Sequence, residues 1–158
     1  MTARKLVGLI GSSLVSLLFA SRVLAVPPNC QWRATSPVAF GAYDVFSSTP
    51  DDAIGSLTYR CNGPTDATVT IDLSTGGSGT YFPRRMTRAG VETLDYNLYL
   101  NATRTQIWGN ATGGTLQYGP TVAPRNTNIA VDIYGRIPAG QDKSAGDYTD
   151  TITATINF

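Results

Sequence analysis

The chain has 158 residues, 15% of them charged, with 16 glycines, nine prolines, two cysteines and no histidine. That length suits one domain, and the low charge with abundant Gly, Pro and Thr suits an all-β exported protein better than a helical one. Without histidine, neither a Ser-His-Asp nor a Cys-His catalytic arrangement can be built.

Residues 1–25 read as a signal peptide. Arg4 and Lys5 supply a basic start, and residues 6–20 form an apolar run. That run, about fifteen residues, is short for a membrane span. Val23-Leu24-Ala25 supplies a small-residue cleavage site, so the expected mature domain is residues 26–158. A retained membrane anchor is the alternative. Arg4, Lys5 and Arg22 account for three of the twelve basic residues, leaving nine against eleven acidic ones in the mature part. A nucleic-acid surface needs a basic surplus, so that class is set aside. In an exported chain, Cys30 and Cys61 most simply form one disulfide. They lack metal-site spacing, and no metal or cofactor is expected.

The two prolines of Val26-Pro27-Pro28-Asn29 remove two backbone donors and disfavour a strand there. Residues 32–40 predict an irregular first strand interrupted by Pro37, followed by a loop over 41–52. Residues 55–61 alternate, with Leu57, Tyr59 and Cys61 on one face. Asn62-Gly63-Pro64 marks a turn. Residues 67–73 alternate again, with Val69, Ile71 and Leu73 inward, before a Gly/Ser loop over 74–80. Pro83-Arg84-Arg85-Met86 leads to a turn at Ala89-Gly90. Residues 94–100 predict a strand with Leu94, Tyr96, Leu98 and Leu100 on one face. Residues 105–108 are a short strand, and 111–121 a loop or edge hairpin. Residues 128–135 predict a strong strand with Ile129, Val131 and Ile133 inward, and a loop follows to 146.

Residues 148–158, YTDTITATINF, hold the clearest alternation. Ile152, Ala154, Ile156 and Phe158 point one way; Thr151, Thr153, Thr155 and Asn157 point the other. No later segment of the sequence can pair with this strand, so its open side faces an earlier strand, solvent or another polypeptide. The four apolar residues are expected to line one wall of an open groove. Six or seven strands without an amphipathic helix predict an immunoglobulin-type β-sandwich.

Other chemistry is sparse. Asp142, Asp147 and Asp150 cluster in sequence but do not match a calcium loop. Asn101-Ala102-Thr103 and Asn110-Ala111-Thr112 match the glycosylation sequon. Trp108 and the tyrosines could stack on a sugar, but core packing is the ordinary use of such residues. No acid/base constellation marks an enzyme.

Phe40-Gly41-Ala42-Tyr43-Asp44, Cys61, Arg85-Met86, Leu94-Asp95-Tyr96-Asn97-Leu98-Tyr99, Trp108-Gly109-Asn110, residues 134–141 (YGRIPAGQ) and 146–150 (GDYTD) occur in that order. Together they resemble the spore coat protein U domain family over residues 30–158. That family includes a myxobacterial spore-coat protein and subunits of archaic chaperone–usher pili. The resemblance implies a sandwich lacking its last strand, completed by β-strand addition. It implies a periplasmic chaperone, an outer-membrane usher and a neighbouring subunit as partners, and a route through the periplasm to the cell surface, pilus or extracellular coat. Because only four residues precede Cys30 after the expected cut, the chain is expected to accept a strand and not to give one. The rival expectation is a free-standing extracellular module that binds carbohydrate or acts as an adhesin.

Overall fold

The structure, a computed structural model, describes residues 26–158. The expected signal peptide, 1–25, lies outside the described residues. Eight strands form two sheets: β1 (Asn29–Ser36), β2 (Asp51–Asn62), β3 (Ala67–Leu73), β4 (Arg84–Arg88), β5 (Glu92–Tyr99), β6 (Tyr118–Ala123), β7 (Asn128–Ile137) and β8 (Ala154–Asn157). One sheet has the order β1-β2-β7-β5-β4, the other β6-β3-β8. The fold is all-β, a two-sheet sandwich of the immunoglobulin kind.

The strands with one buried face are those whose sequence alternates. In β2, Leu57, Tyr59 and Cys61 are buried; in β3, Val69, Ile71 and Leu73; in β7, Val131 and Ile133. Period-two alternation places these side chains between the sheets, where burial stabilises each by roughly 1.5–3 kcal/mol. Cys30 stands directly opposite Cys61 in the β1–β2 ladder, and the two form the expected disulfide.

Several elements differ from the sequence expectation, among them the terminal strand, regular only over Ala154–Asn157, and 105–108, which is not a strand. β1 starts at Asn29 and stops at Ser36, because Pro37 has no N–H for the ladder. β2 begins at Asp51, so the preceding loop is shorter. β4 is a strand where only a lead-in to a turn was expected, and β6 is a strand within the expected loop or edge hairpin. The segment over 105–108 carries isolated bridges, Tyr99 to Ile107 and Trp108 to Leu116. Trp108 lies in the core, its indole N–H donating to the Ile71 carbonyl at 2.8 Å. It therefore presents no face for stacking on a sugar.

Arg84 explains why β4 was hard to read. It is fully buried on the inner face. Its Nε and Nη2 donate to the Ser74 carbonyl at 3.0 and 2.8 Å, Nη2 to the Trp108 carbonyl at 2.7 Å, and Nη1 to Asn97 Oδ1 at 2.8 Å. Its guanidinium lies over the Tyr81 ring. None of these partners is a carboxylate, and burial lowers its pKa. Its fork ties β4 and β5 to the ends of β3 and of the 105–108 segment.

Candidate functional site: a bare sheet edge over an apolar groove

A sheet edge exposes a row of unpaired backbone groups, which proteins normally block. Among the described residues, three of the four edges are covered or interrupted. β4 is covered by Thr149, which exchanges two backbone hydrogen bonds with Thr87 at 2.8 and 3.0 Å. β6 carries Pro120, which has no N–H, and a register shift opposite Val69–Ile71. β1 is irregular between Trp32 and Ala34 and ends against Pro37.

The fourth edge is β8. Its inner side pairs with β3, Ala154 opposite Leu73 and Ile156 opposite Ile71. Among the described residues its outer side pairs with nothing. Ser74 N–H donates to the Thr153 carbonyl at 2.9 Å. By the antiparallel alternation, Thr155 and Asn157 also face β3, and the N–H groups of Ile152, Ala154 and Ile156 point to the open side.

Beside that edge lies an open hollow of about 330 Å³. One wall is residues 35–40 and the other residues 148–154; Leu57, Ile133, Leu98 and Met86 form the floor. The first wall can cross the sheet because two strand positions are glycine. A Cβ on Gly55 would stand 2.6 Å from the Ser36 carbonyl oxygen and 2.8 Å from Val38 N. A Cβ on Gly135 would collide with Val38 Cγ1 and with Phe40 Cζ, the latter at 2.7 Å. Glycine inside a strand often marks such an approach.

The second wall is strapped down. Asp150 Oδ2 accepts from the Tyr96 hydroxyl at 2.7 Å, and Oδ1 from Gly77 N at 2.8 Å. Burial, reinforced by that carboxylate, pushes the Tyr96 hydroxyl pKa up. Thr153 N donates to Ser74 Oγ at 2.9 Å. Further back, the Gln141 side chain pairs with Asp95 as a strand would, accepting from its N–H at 2.8 Å and donating to its carbonyl at 2.9 Å. Glu92 accepts from Ser144 N at 3.0 Å, and chiefly that bond holds its carboxyl at about 2.

Of the four apolar residues singled out in the sequence, Ile152 and Ala154 line the hollow. Ile156 is half-buried over the core farther along β8, and Phe158 lies beyond the last ladder pair with 54% of its surface exposed. The other wall, 35–40, was not foreseen; the glycines at 55 and 135 were its sequence signal. Asp150 is engaged by Tyr96 and Gly77, and among the described residues no three His, Cys, Asp or Glu side chains converge as a metal site would require.

The chain is similar to known proteins. Protein U of Myxococcus xanthus is 35% identical over 129 residues, covering 75% of this chain and 70% of its own length. In the crystal structure of the CsuC-CsuE chaperone-tip adhesion subunit pre-assembly complex, from archaic chaperone-usher Csu pili of Acinetobacter baumannii, one chain superposes with a TM-score of 0.56 at 22% identity. The match covers 84% of this chain and 40% of that one, and at such identity it speaks for the fold alone. The family model of the Spore Coat Protein U domain matches residues 15–155, and the chain belongs to that family.

Proposed function

We propose that this chain is an exported, non-catalytic subunit of a chaperone–usher-type pilus or surface coat, whose sandwich is completed by a strand lent by another polypeptide. The observation that carries this reading is the contrast among the sheet edges: β4 is covered by Thr149, β1 and β6 are interrupted by a register shift, and the uninterrupted edge of β8 borders an apolar groove. An inserted strand satisfies both deficits at once. Its backbone pairs with the outward N–H groups of Ile152, Ala154 and Ile156, and its alternate side chains cover the groove floor. Ile152, Ala154 and Ile156 are only half-buried. Covering the two isoleucines fully is worth about 1 kcal/mol each and the alanine less, together a sizeable part of a typical domain stability of about 5–15 kcal/mol.

In this reading the partners are a periplasmic chaperone as first lender, an outer-membrane usher as the exit site, and a neighbouring subunit as final lender; membership of the family supports it. The pre-assembly complex of the Csu relative is a chaperone with a tip adhesion subunit, consistent with this order.

Two substitutions test the reading side by side. Ile152→Lys puts a charge into the groove, while Thr153→Lys puts it on the exposed face of the same segment. Chaperone co-isolation and periplasmic yield should fall sharply for the first and little for the second. Equal behaviour of the two, with a cooperatively folded monomer in both cases, would favour a self-contained binding module.

A further inference from the structure

Arg84 carries a charge that strand acceptance does not use, and its setting ties the core to the terminal strand. Arg85, Arg88, Arg104 and Arg136 pair directly with Asp95, Glu92 or Asp52, at 2.7 to 3.4 Å. Arg84 is fully buried, and its hydrogen-bond acceptors among the described residues are all uncharged. A buried charge without a counter-charge is costly. Burial lowers the Arg84 pKa, and Tyr96, Tyr81, Asp150 and Tyr99 oppose that shift. The tyrosines are phenols, neutral at neutral pH; Asp150 is the carboxylate.

Two chains of contacts lead from Arg84 to residues 150–153. The first runs through Tyr96, which stands opposite Arg84 in the β4–β5 ladder and is itself buried. Its hydroxyl donates to Asp150 Oδ2 at 2.7 Å. Asp150 Oδ1 accepts from Gly77 N and from Thr151 N, each at 2.8 Å. The carboxylate lies so close over Gly76 that a Cβ there would collide with it. The second chain runs through Ser74. Arg84 grips the Ser74 carbonyl with two N–H groups. Ser74 N–H donates to the Thr153 carbonyl at 2.9 Å, and Ser74 Oγ accepts from Thr153 N at 2.9 Å. The residue that Arg84 holds thus holds the chain just before β8.

We infer that Asp150 is the counter-charge of the buried Arg84, set across Tyr96 from it, and that the two act together as positioning residues for the lead-in to β8. A seated Asp150 carboxylate lowers the cost of burying Arg84. A seated Arg84 fixes Ser74, on which Thr153 docks. Residues 150–153 therefore settle together with the core rather than after it. The inference does not depend on a lent strand, because it concerns how the isolated chain sets its own terminal strand.

A double-mutant cycle in the full chain tests this. Asp150→Asn keeps an acceptor for the Gly77 and Thr151 amides and removes the charge. Arg84→Gln keeps a donor for the Ser74 carbonyl and removes the opposite charge. Denaturant titration follows unfolding, and amide exchange at Ser74 and Thr153 follows docking of the lead-in. In the parent background, Asp150→Asn should lower the folding equilibrium constant and speed that exchange, each by about tenfold or more. In the Arg84→Gln background it should change either by less than about threefold. Equal effects in the two backgrounds, or none in the parent, would mean that Asp150 serves through hydrogen bonds alone and would overturn the inference. Should Arg84→Gln fail to fold, the Arg84 Nε–H of the Asp150→Asn protein decides. Its exchange should be faster than in the parent by about tenfold or more, because the guanidinium has lost its counter-charge; an unchanged rate overturns the inference.

Discussion

Gly55 in β2 sits beneath the backbone of the groove wall, so Gly55→Ala is a direct probe of that wall. The added Cβ would lie 2.6 Å from the Ser36 oxygen, 2.8 Å from Val38 N and 2.9 Å from the Pro37 carbonyl carbon. All three are main-chain atoms, so no rotamer change relieves the clash; the segment 36–38 must lift. Overpacking of this kind costs about 1–3 kcal/mol. For a domain of this size that is a drop in melting temperature of about 4–12 °C. The lifted segment is also a wall of the groove, so binding of a lent strand should weaken beyond the loss of stability. Gly135→Ala separates the two effects. There the clash is with Val38 Cγ1 and Phe40 Cζ, side-chain rather than main-chain atoms, on two residues that line the groove. It should melt closer to the parent while binding a strand as poorly. Thermal unfolding followed by near-UV circular dichroism, with chaperone co-isolation alongside, reads both. A Gly55→Ala protein that melts within a degree of the parent would refute the crossing of residues 36–38 over β2.

Arg84→Met should remove the donors serving the Ser74 and Trp108 carbonyls, while Asn97 Oδ1 keeps the Leu98 N–H; two unpaired carbonyls at about 1–3 kcal/mol each are a large part of the whole stability. Arg84→Lys keeps the charge but not the fork, so denaturant titration should place it between the parent and Arg84→Met. Cys61→Ser should cost about 2–5 kcal/mol by the same titration, because it opens the Cys30–Cys61 loop. Glu92 titrates at about 2 rather than its ordinary 4.5. Its depressed pKa makes its contribution complete above pH 4.5 and lost as pH falls through 2. The Ser144 amide resonance should therefore titrate in that window, and Glu92→Gln should abolish the titration.

The interior strands were legible because one face of each is buried, which imposes alternation on β2, β3 and β7. β4 was not, since Arg-Arg-Met-Thr-Arg places a charge where the pattern demands an apolar group. What permits it is a set of carbonyls 10 and 24 residues away, beyond the reach of any local pattern. β6 was obscured because it begins inside the Gly- and Thr-rich run 111–121, which read as a loop or edge hairpin, and its Pro120 interrupts an outer edge. The terminal strand was legible as a strand, but only Ala154–Asn157 is regular. Upstream of it, Thr149 is committed to β4 and Asp150 to Tyr96 and Gly77, contacts no alternation reveals. Half of the groove was accordingly visible in the sequence. The other half depends on residues 35–40 crossing the sheet over two glycines that look, in sequence, like ordinary interruptions of strands.

The most direct measurement is residue-resolved amide hydrogen exchange in the isolated chain and in its complex with the periplasmic chaperone. In the isolated chain, the amides of Thr155 and Asn157 face β3, while those of Ile152, Ala154 and Ile156 face the open side. The account predicts that the latter three exchange fast when the chain is alone and slow by about a hundredfold or more in the complex, with Thr155 and Asn157 changing far less. Slow exchange at Ile152, Ala154 and Ile156 in the isolated chain, or fast exchange at all three in the complex, would contradict it.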